Sequence, residues 1–402
     1  MTRGASHARL SHAAVAMLAV CAGGAISNVY AFQPAVGEIS ISMGVPPTAV
    51  SGAIAAAFLG YLLGLVVLVP LADRVSARIL VSAQLVVLAG CLGLASVAPD
   101  PALLAGAFLF VGAATTVAAQ SSAIVGALSE PVTRGASLGV VSAGISAGLL
   151  VSRFVGGALT DLAGWRGALL ICAAVMVVCA GISARVVPHT APITAESFVA
   201  RLRSLPRLWR RHPLLRRSAA AGMLWFFAFN VVWMALTLVL DGPPYSLSAS
   251  TIGLYGLAGA LGLVVTRVAG RLADRWGSRA VLLGGLATAA ASVLLLLVSL
   301  GSPLLTAAGL ALFDAGCFAA QVAAQAQIVS LDPPRSGGLL SAYLTLYYAA
   351  GAVGAGTAGA LVAAGGWPGA MLAAIAATGT AFAVAYRPRA LRQRPGGEDT
   401  RV

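Results

Sequence analysis

One acidic residue of this chain stands deep inside a long apolar run. Asp314 lies about 11 residues, or roughly 17 Å along a helix, from the start of its run at Pro303. A carboxylate at that depth costs on the order of 3 kcal/mol on insertion scales, and is tolerated mainly where a cation, a proton or a water-filled cavity meets it. Its chemistry is therefore proton uptake and release or pairing with a cation, with a helix-to-helix hydrogen bond as the plainer reading. Gln321 and Gln325 follow seven and eleven residues later, so all three side chains project from one helical face. Those amides either meet a polar ligand or join helices.

Arg153 is the complementary charge, set in its own apolar run away from every arginine cluster. Its stem can snorkel to lipid headgroups at the end of its span, or its guanidinium can pair with Asp314 or attract an anion. Asn28, Tyr30, Gln33, Trp225, Asn230 and Trp233 occupy two further runs. Their aromatic faces suit ring-bearing or cationic ligands, although each taken singly also suits packing. Covalent chemistry is not indicated. His7, His12, His189 and His212 fall at or outside the rims of the apolar runs. Cys21, Cys91, Cys172, Cys179 and Cys317 lie inside the runs without disulfide or metal spacing. No nucleophile–base constellation stands out, so neither enzyme activity nor a metal or other cofactor is expected.

The elements that must hold these residues are membrane spans. Of the 402 residues 59% are hydrophobic and 9% charged, which no water-soluble core of this size accommodates. Runs of about 20 residues, long enough for a ~30 Å hydrocarbon layer, read as 12–34, 48–70, 79–97, 101–125, 135–159 and 165–184 in the first half. The second half reads 217–240, 251–271, 279–300, 303–329, 337–363 and 367–385. The fold class is an all-α polytopic membrane protein of about twelve spans. Gly60-x-x-x-Gly64, Gly144-x-x-x-Gly148 and Gly351–Gly356 allow close helix approach.

The two halves repeat one plan. Leu71-Ala72-Asp73-Arg74 with Arg78 returns at a step of 201 as Leu272-Ala273-Asp274-Arg275 with Arg279. Gly164-Trp165 returns at 202 as Gly366-Trp367, and Asn28 returns as Asn230. A period of half the chain signals a duplicated six-helix unit rather than a solenoid. The expected organisation is a bundle over residues 1–186, a basic amphipathic connection over 187–216, a second bundle over 217–386 and a disordered polar tail over 387–402.

The net charge of +13 comes from arginines in the connections between runs. All but Arg166 of the connecting arginines fall on one side if the spans alternate, so both termini and the central connection are expected in the cytoplasm of a cell that carries the chain in its plasma or inner membrane. Arg201, Arg203, Arg207, Arg210, Arg211 and Arg216 alternate with Leu202, Leu205, Leu208 and Trp209, which suits anionic inner-leaflet lipid rather than nucleic acid.

Twelve spans in two halves, a charged turn after the second and eighth, and a long central connection resemble the major facilitator superfamily over nearly the whole chain. The signature Gly-x-Leu-x-Asp-Arg-x-Gly-x-Arg is complete from Gly270 through Asp274, Arg275 and Gly277 to Arg279, whereas Pro70 and Ser76 replace its glycines in the first half. Asn28-x-Tyr30-x-x-Gln33-Pro34, Arg153-x-x-Gly156-Gly157, Gly164-Trp165-Arg166 and Phe313-Asp314-x-Gly316 are similar to bacterial arabinose-efflux-like permeases and drug:proton antiporters. The chain departs from them twice: Phe108 stands where many antiporters carry an arginine in span 4, and Arg153 stands where proline is usual in span 5.

The resemblance implies a monomeric secondary transporter working by alternating access. It would export a small amphipathic molecule or drug against protons, with uptake by symport or facilitated diffusion as the alternative and a non-transporting receptor as a remote one. It also implies that Asp73, Arg74, Arg78, Gly270, Asp274, Arg275, Gly277 and Arg279 gate the cytoplasmic face, and that spans 1 and 7 line the central cavity.

Overall fold

The computed structural model describes residues 10–69, 71, 74–130, 132–189, 209, 212–332 and 336–387. The described residues are helical with no strand among them, as a lipid environment requires of backbone groups that have no water to bond. In the first half α1 is His12–Tyr30, α2 Val36–Met43, α3 Pro47–Val67, α4 Ala77–Ser96, α5 Pro101–Ala114, α6 Val117–Leu128 and α7 Arg134–Val186. In the second, α8 is Pro213–Asp241, α9 Ala249–Ala258, α10 Ala260–Trp276, α11 Ser278–Ser299, α12 Pro303–Val329 and α13 Ser336–Tyr386.

All of these helices but the short α2 contribute to twelve crossings. α7 breaks at Gly164 (φ 68°, ψ 161°) and α13 at Gly365 and Gly366 (φ 59° at Gly366), so each supplies two spans. Both breaks fall on the repeated Gly-Trp pair, where a positive φ favours glycine. Conversely, α5 and α6 form one crossing interrupted at Thr115 and Thr116, and α9 and α10 form one interrupted at Gly259. The eighth span, expected as continuous, is thus two segments. Span 1 ends at Tyr30 rather than Pro34, because the chain turns at Phe32–Ala35 before α2.

Helix starts follow local chemistry. Asp100 accepts hydrogen bonds from Ala102 and Leu103 N–H at 2.9 Å, and Ser302 one from Leu305 N–H at 3.4 Å, each just before a first-turn proline. These two caps are 202 residues apart.

The signature arginines close their own halves. Arg78 Nε donates to Val187 O at 2.7 Å, and Arg279 Nη2 donates to Tyr386 O at 2.9 Å, so each caps the free carbonyls that end the sixth span of its half. Gly277 has φ +86°, which explains the glycine there; Ser76 at the matching turn has φ −52° and needs none. Asp274 and Arg275 are exposed, and Asp274 makes no ion pair among the described residues. Asp73, and the central connection apart from 187–189, Trp209 and 212–216, lie outside the described residues.

At the end opposite the signature turns the halves are joined. Asp161, from the first half, accepts hydrogen bonds from the N–H groups of Ala249 (3.2 Å) and Ser250 (3.0 Å) that open α9. A side chain at Gly157 would overlap Ala249 O, one at Gly359 would press on Thr48 and Ser51, and one at Gly37 would overlap the Asp241 carboxylate. This end of the molecule is closed.

Candidate functional site

Arg153 and Asp314 are the only charged side chains buried among the residues whose side chains are described, at 3% and 2% exposure. Arg153 comes from the first half on α7, and Asp314 from the second on α12. α9 packs against both of their helices. A Cβ at Gly253 would overlap Arg153 O, one at Gly256 would press on Arg153 Cβ, and one at Gly259 would overlap Asp314 Oδ2. Glycine at these three positions lets one helix lie against both charged residues, and the break at Gly259 falls beside the carboxylate.

The charges are bridged rather than paired. Trp233 Nε1 donates to Asp314 Oδ1 at 3.1 Å, while the Arg153 guanidinium carbon lies 4.2 Å from the centre of the Trp233 ring. The indole thus offers its π face to the cation and its N–H to the anion. Tyr30 (5.0 Å) and Phe229 (5.9 Å) also face the guanidinium, and Arg153 Nε donates to Gln33 Oε1 at 2.9 Å. Arg153 does not snorkel, because cation–π contacts and an amide hold its head inside the bundle; nor does it form a direct ion pair with Asp314. The two charges remain within electrostatic reach of each other.

Aromatic rings surround this bridge. Phe226 stacks on Tyr347 at 3.7 Å, Phe229 on Phe313 at 6.2 Å, and Phe58 meets Phe226 across the halves at 6.3 Å. Tyr61 and Tyr348, also from opposite halves, stand 4.5 Å apart. Among the rings about the bridge, sequence reading offered Tyr30, Trp225 and Trp233 as cavity candidates, all buried here, and Phe313 as part of a motif. The helical spacing of Trp225, Phe226, Phe229 and Trp233, and of Tyr343, Tyr347 and Tyr348, was the available signal for the rest.

Asn28 and Asn230 occupy matching places. Each donates its amide to the carbonyl four residues back, Gly24 O at 2.8 Å and Phe226 O at 2.9 Å, and each leaves Oδ1 buried without a partner. Gln321 and Gln325 are only half-buried and lie about 10 and 16 Å along α12 from Asp314, so the structure does not bring them to the bridge. A groove lined by Leu63, Ile79 and Phe110 is apolar and includes neither charged residue.

Comparison with known proteins places this geometry in context. The profile described as Major Facilitator Superfamily matches residues 16–355 and 268–401. The chain is 31% identical to the "Probable transporter SCO4007" of Streptomyces coelicolor over 358 residues, covering 88% of this chain and 82% of that one. It is 28% identical to the "Uncharacterized transporter YgaY" of Escherichia coli O157:H7 over 364 residues, covering 90% and 92%. Among solved structures it is similar to a bacterial homolog of the human lysosomal transporter Spinster in an inward-facing, occupied conformation, with TM-score 0.73, 14% identity and 92% and 95% coverage. It is also similar to the nucleoside transporter NupG as its D323A mutant, with TM-score 0.71, 12% identity and 93% and 97% coverage.

Proposed function

Because the chain belongs to the Major Facilitator Superfamily and is a multi-pass membrane transporter, we propose that it exports a small amphipathic organic molecule in exchange for protons, with Asp314 binding the proton. One observation carries this reading: the two buried charges come from opposite halves and meet through Trp233 without an ion pair. Rocking of one half against the other must change their separation, and protonation of Asp314 changes what holds them together. The groups facing Asp314 are Arg153 and the Trp233 indole, with Cys317 one turn along α12 and Tyr30 beyond the guanidinium.

Closure at the end bearing Asp161 suits one limit of an alternating-access cycle. In the other limit Asp73 and Asp274 latch the signature end, which we assign to the cytoplasm along with both termini. A susceptibility screen in a pump-deficient bacterium expressing the chain identifies the exported compound. Everted vesicles should then accumulate that compound under an imposed inward-acid gradient, and Asp314→Asn should cut the response at least about tenfold. Accumulation insensitive to the gradient, or an Asp314→Asn variant that moves the compound like the wild type, would overturn the reading.

Symport is the second reading, favoured by charge balance. Arg153 and Asp314 sum to zero, so an anion arriving together with a proton leaves the buried site neutral, whereas either alone charges it. The sign of the gradient response in the same vesicles separates the two.

A further inference from the structure

Two buried donors at the bridge have no acceptor. Arg153 Nη2 and Gln33 Nε2 are both enclosed, on side chains 3% and 1% exposed, and neither has a hydrogen-bond partner. A buried donor left unmade is costly, more so on a charged group, and needs a physical account. These two are neighbours by construction. Arg153 Nε occupies the acceptor of the Gln33 amide at 2.9 Å, so the amide N–H groups stand beside the guanidinium with nothing to bond. The one nearby carboxylate does not serve them, since Asp314 Oδ1 is taken by Trp233 and no ion pair with Arg153 forms. Packing symmetry does not demand them either. The matching positions in the second half, 202 residues on, are Ala355 and Ala235.

We propose that the transported molecule carries a carboxylate, which Nη2 of Arg153 and Nε2 of Gln33 receive together while its apolar body lies against the surrounding rings. A guanidinium and an adjacent amide present two donors to the two oxygens of one planar group, the geometry in which arginine recognises carboxylates best. The Tyr30, Phe229 and Trp233 rings lie 5.0, 5.9 and 4.2 Å from the guanidinium carbon, so the place of the donors is restricted before the anion arrives. Phe226, Phe229, Phe313 and Tyr347 supply aromatic surface for a ring or alkyl chain. The favoured class is therefore an aryl or alkyl monocarboxylate. The inference rests on the transport reading of the same site and names the substrate class that reading leaves open.

Binding of matched probes to the purified full-length protein in lipid nanodiscs tests it, read by tryptophan quenching and thermal stabilisation. The probes are monocarboxylates from acetate to 4-phenylbutyrate, each with its primary amide, and 4-phenylbutylamine as the cation. Carboxylates long enough to reach the rings should bind at least about tenfold tighter than their amides, the yield of one good charge-assisted bond. Arg153→Gln should erase that preference and Gln33→Leu should reduce it, whereas Asp314→Asn should strengthen it, because a like charge near the incoming anion is gone. Equal binding of acid and amide, preference for the amine, absence of binding by every acid in the series, or a preference unchanged in Arg153→Gln would each overturn the proposal. If Arg153→Gln does not fold, the acid–amide comparison on the wild type and on Gln33→Leu still decides. Carboxylate binding without gradient-driven transport sinks the coupling reading alone, and gradient-driven transport of a compound without carboxylate preference sinks this inference alone.

Discussion

The two six-helix halves share a scaffold and divide the chemistry. Asn28 and Asn230, the Gly-Trp breaks at Gly164 and Gly366, and the carbonyl caps of Arg78 and Arg279 all repeat within a residue of the same step. Nothing at the charged bridge does. Position 355, matching Arg153, is alanine, and position 112, matching Asp314, is glycine pressed against Ala57 O. The rings divide the same way: Trp225 and Phe226 on α8 stand where α1 has Gly23 and Gly24. Gly23 there packs closely on Gly144 of α7. A duplicated frame makes two pseudo-equivalent bodies that can rock, and substitutions in the interior give one the cation and the other the acid and most of the rings. Symmetry serves the motion, and its loss serves recognition.

The comparison breaks most visibly at the acid. Asp314→Asn should cut gradient-driven flux by about 10–100-fold, the size of a coupling energy of 1–3 kcal/mol, with the protein still folded by size-exclusion chromatography. If the flux survives, the asymmetric interior is packing. Trp233→Phe keeps the ring under Arg153 but removes the donor to Asp314, and should lower flux about tenfold, as loss of a charge-assisted hydrogen bond implies. An unchanged rate would show that the indole N–H is dispensable.

The shared scaffold is sharpened by a matched pair, Gly157→Ala and Gly359→Ala. Each places a methyl group where the opposite half approaches, so each should disfavour closure by about 1–3 kcal/mol, seen as greater labelling of cysteines introduced at that end. Strongly unequal effects would mean that the two seams are not equivalent. The smallest effect belongs to Asp161, whose counterpart at position 363 is alanine. Asp161→Ala removes an exposed cap worth at most ~1 kcal/mol, which shifts the open–closed balance a few-fold. No change in labelling would leave glycine packing as the sole lock.

The sequence by itself determined the twelve crossings and their pairing into halves, and it singled out Arg153 and Asp314 as charges set inside spans. Those properties follow from local quantities: the length of an apolar run against the hydrocarbon thickness, the repeat of short motifs, and the high energy of a charge far from a span's end. Arg153 and Asp314 were legible for that reason, as were Asn28, Asn230 and the breaks at Gly164 and Gly366. Only the tertiary structure decided that the charges meet through Trp233 rather than directly, that α9 packs against both of their helices with Gly253, Gly256 and Gly259 facing them, and that Gln321 and Gln325 stay away. It also revealed Phe226, Phe229, Tyr347 and Tyr348 as the surroundings, and the interruption of span 8 at Gly259. Periodicity states which face of a helix is polar or aromatic, but not which helix that face meets. The partner is set by close approach of backbones at small residues across spans 80 to 160 positions apart, and no local pattern along the chain encodes that contact.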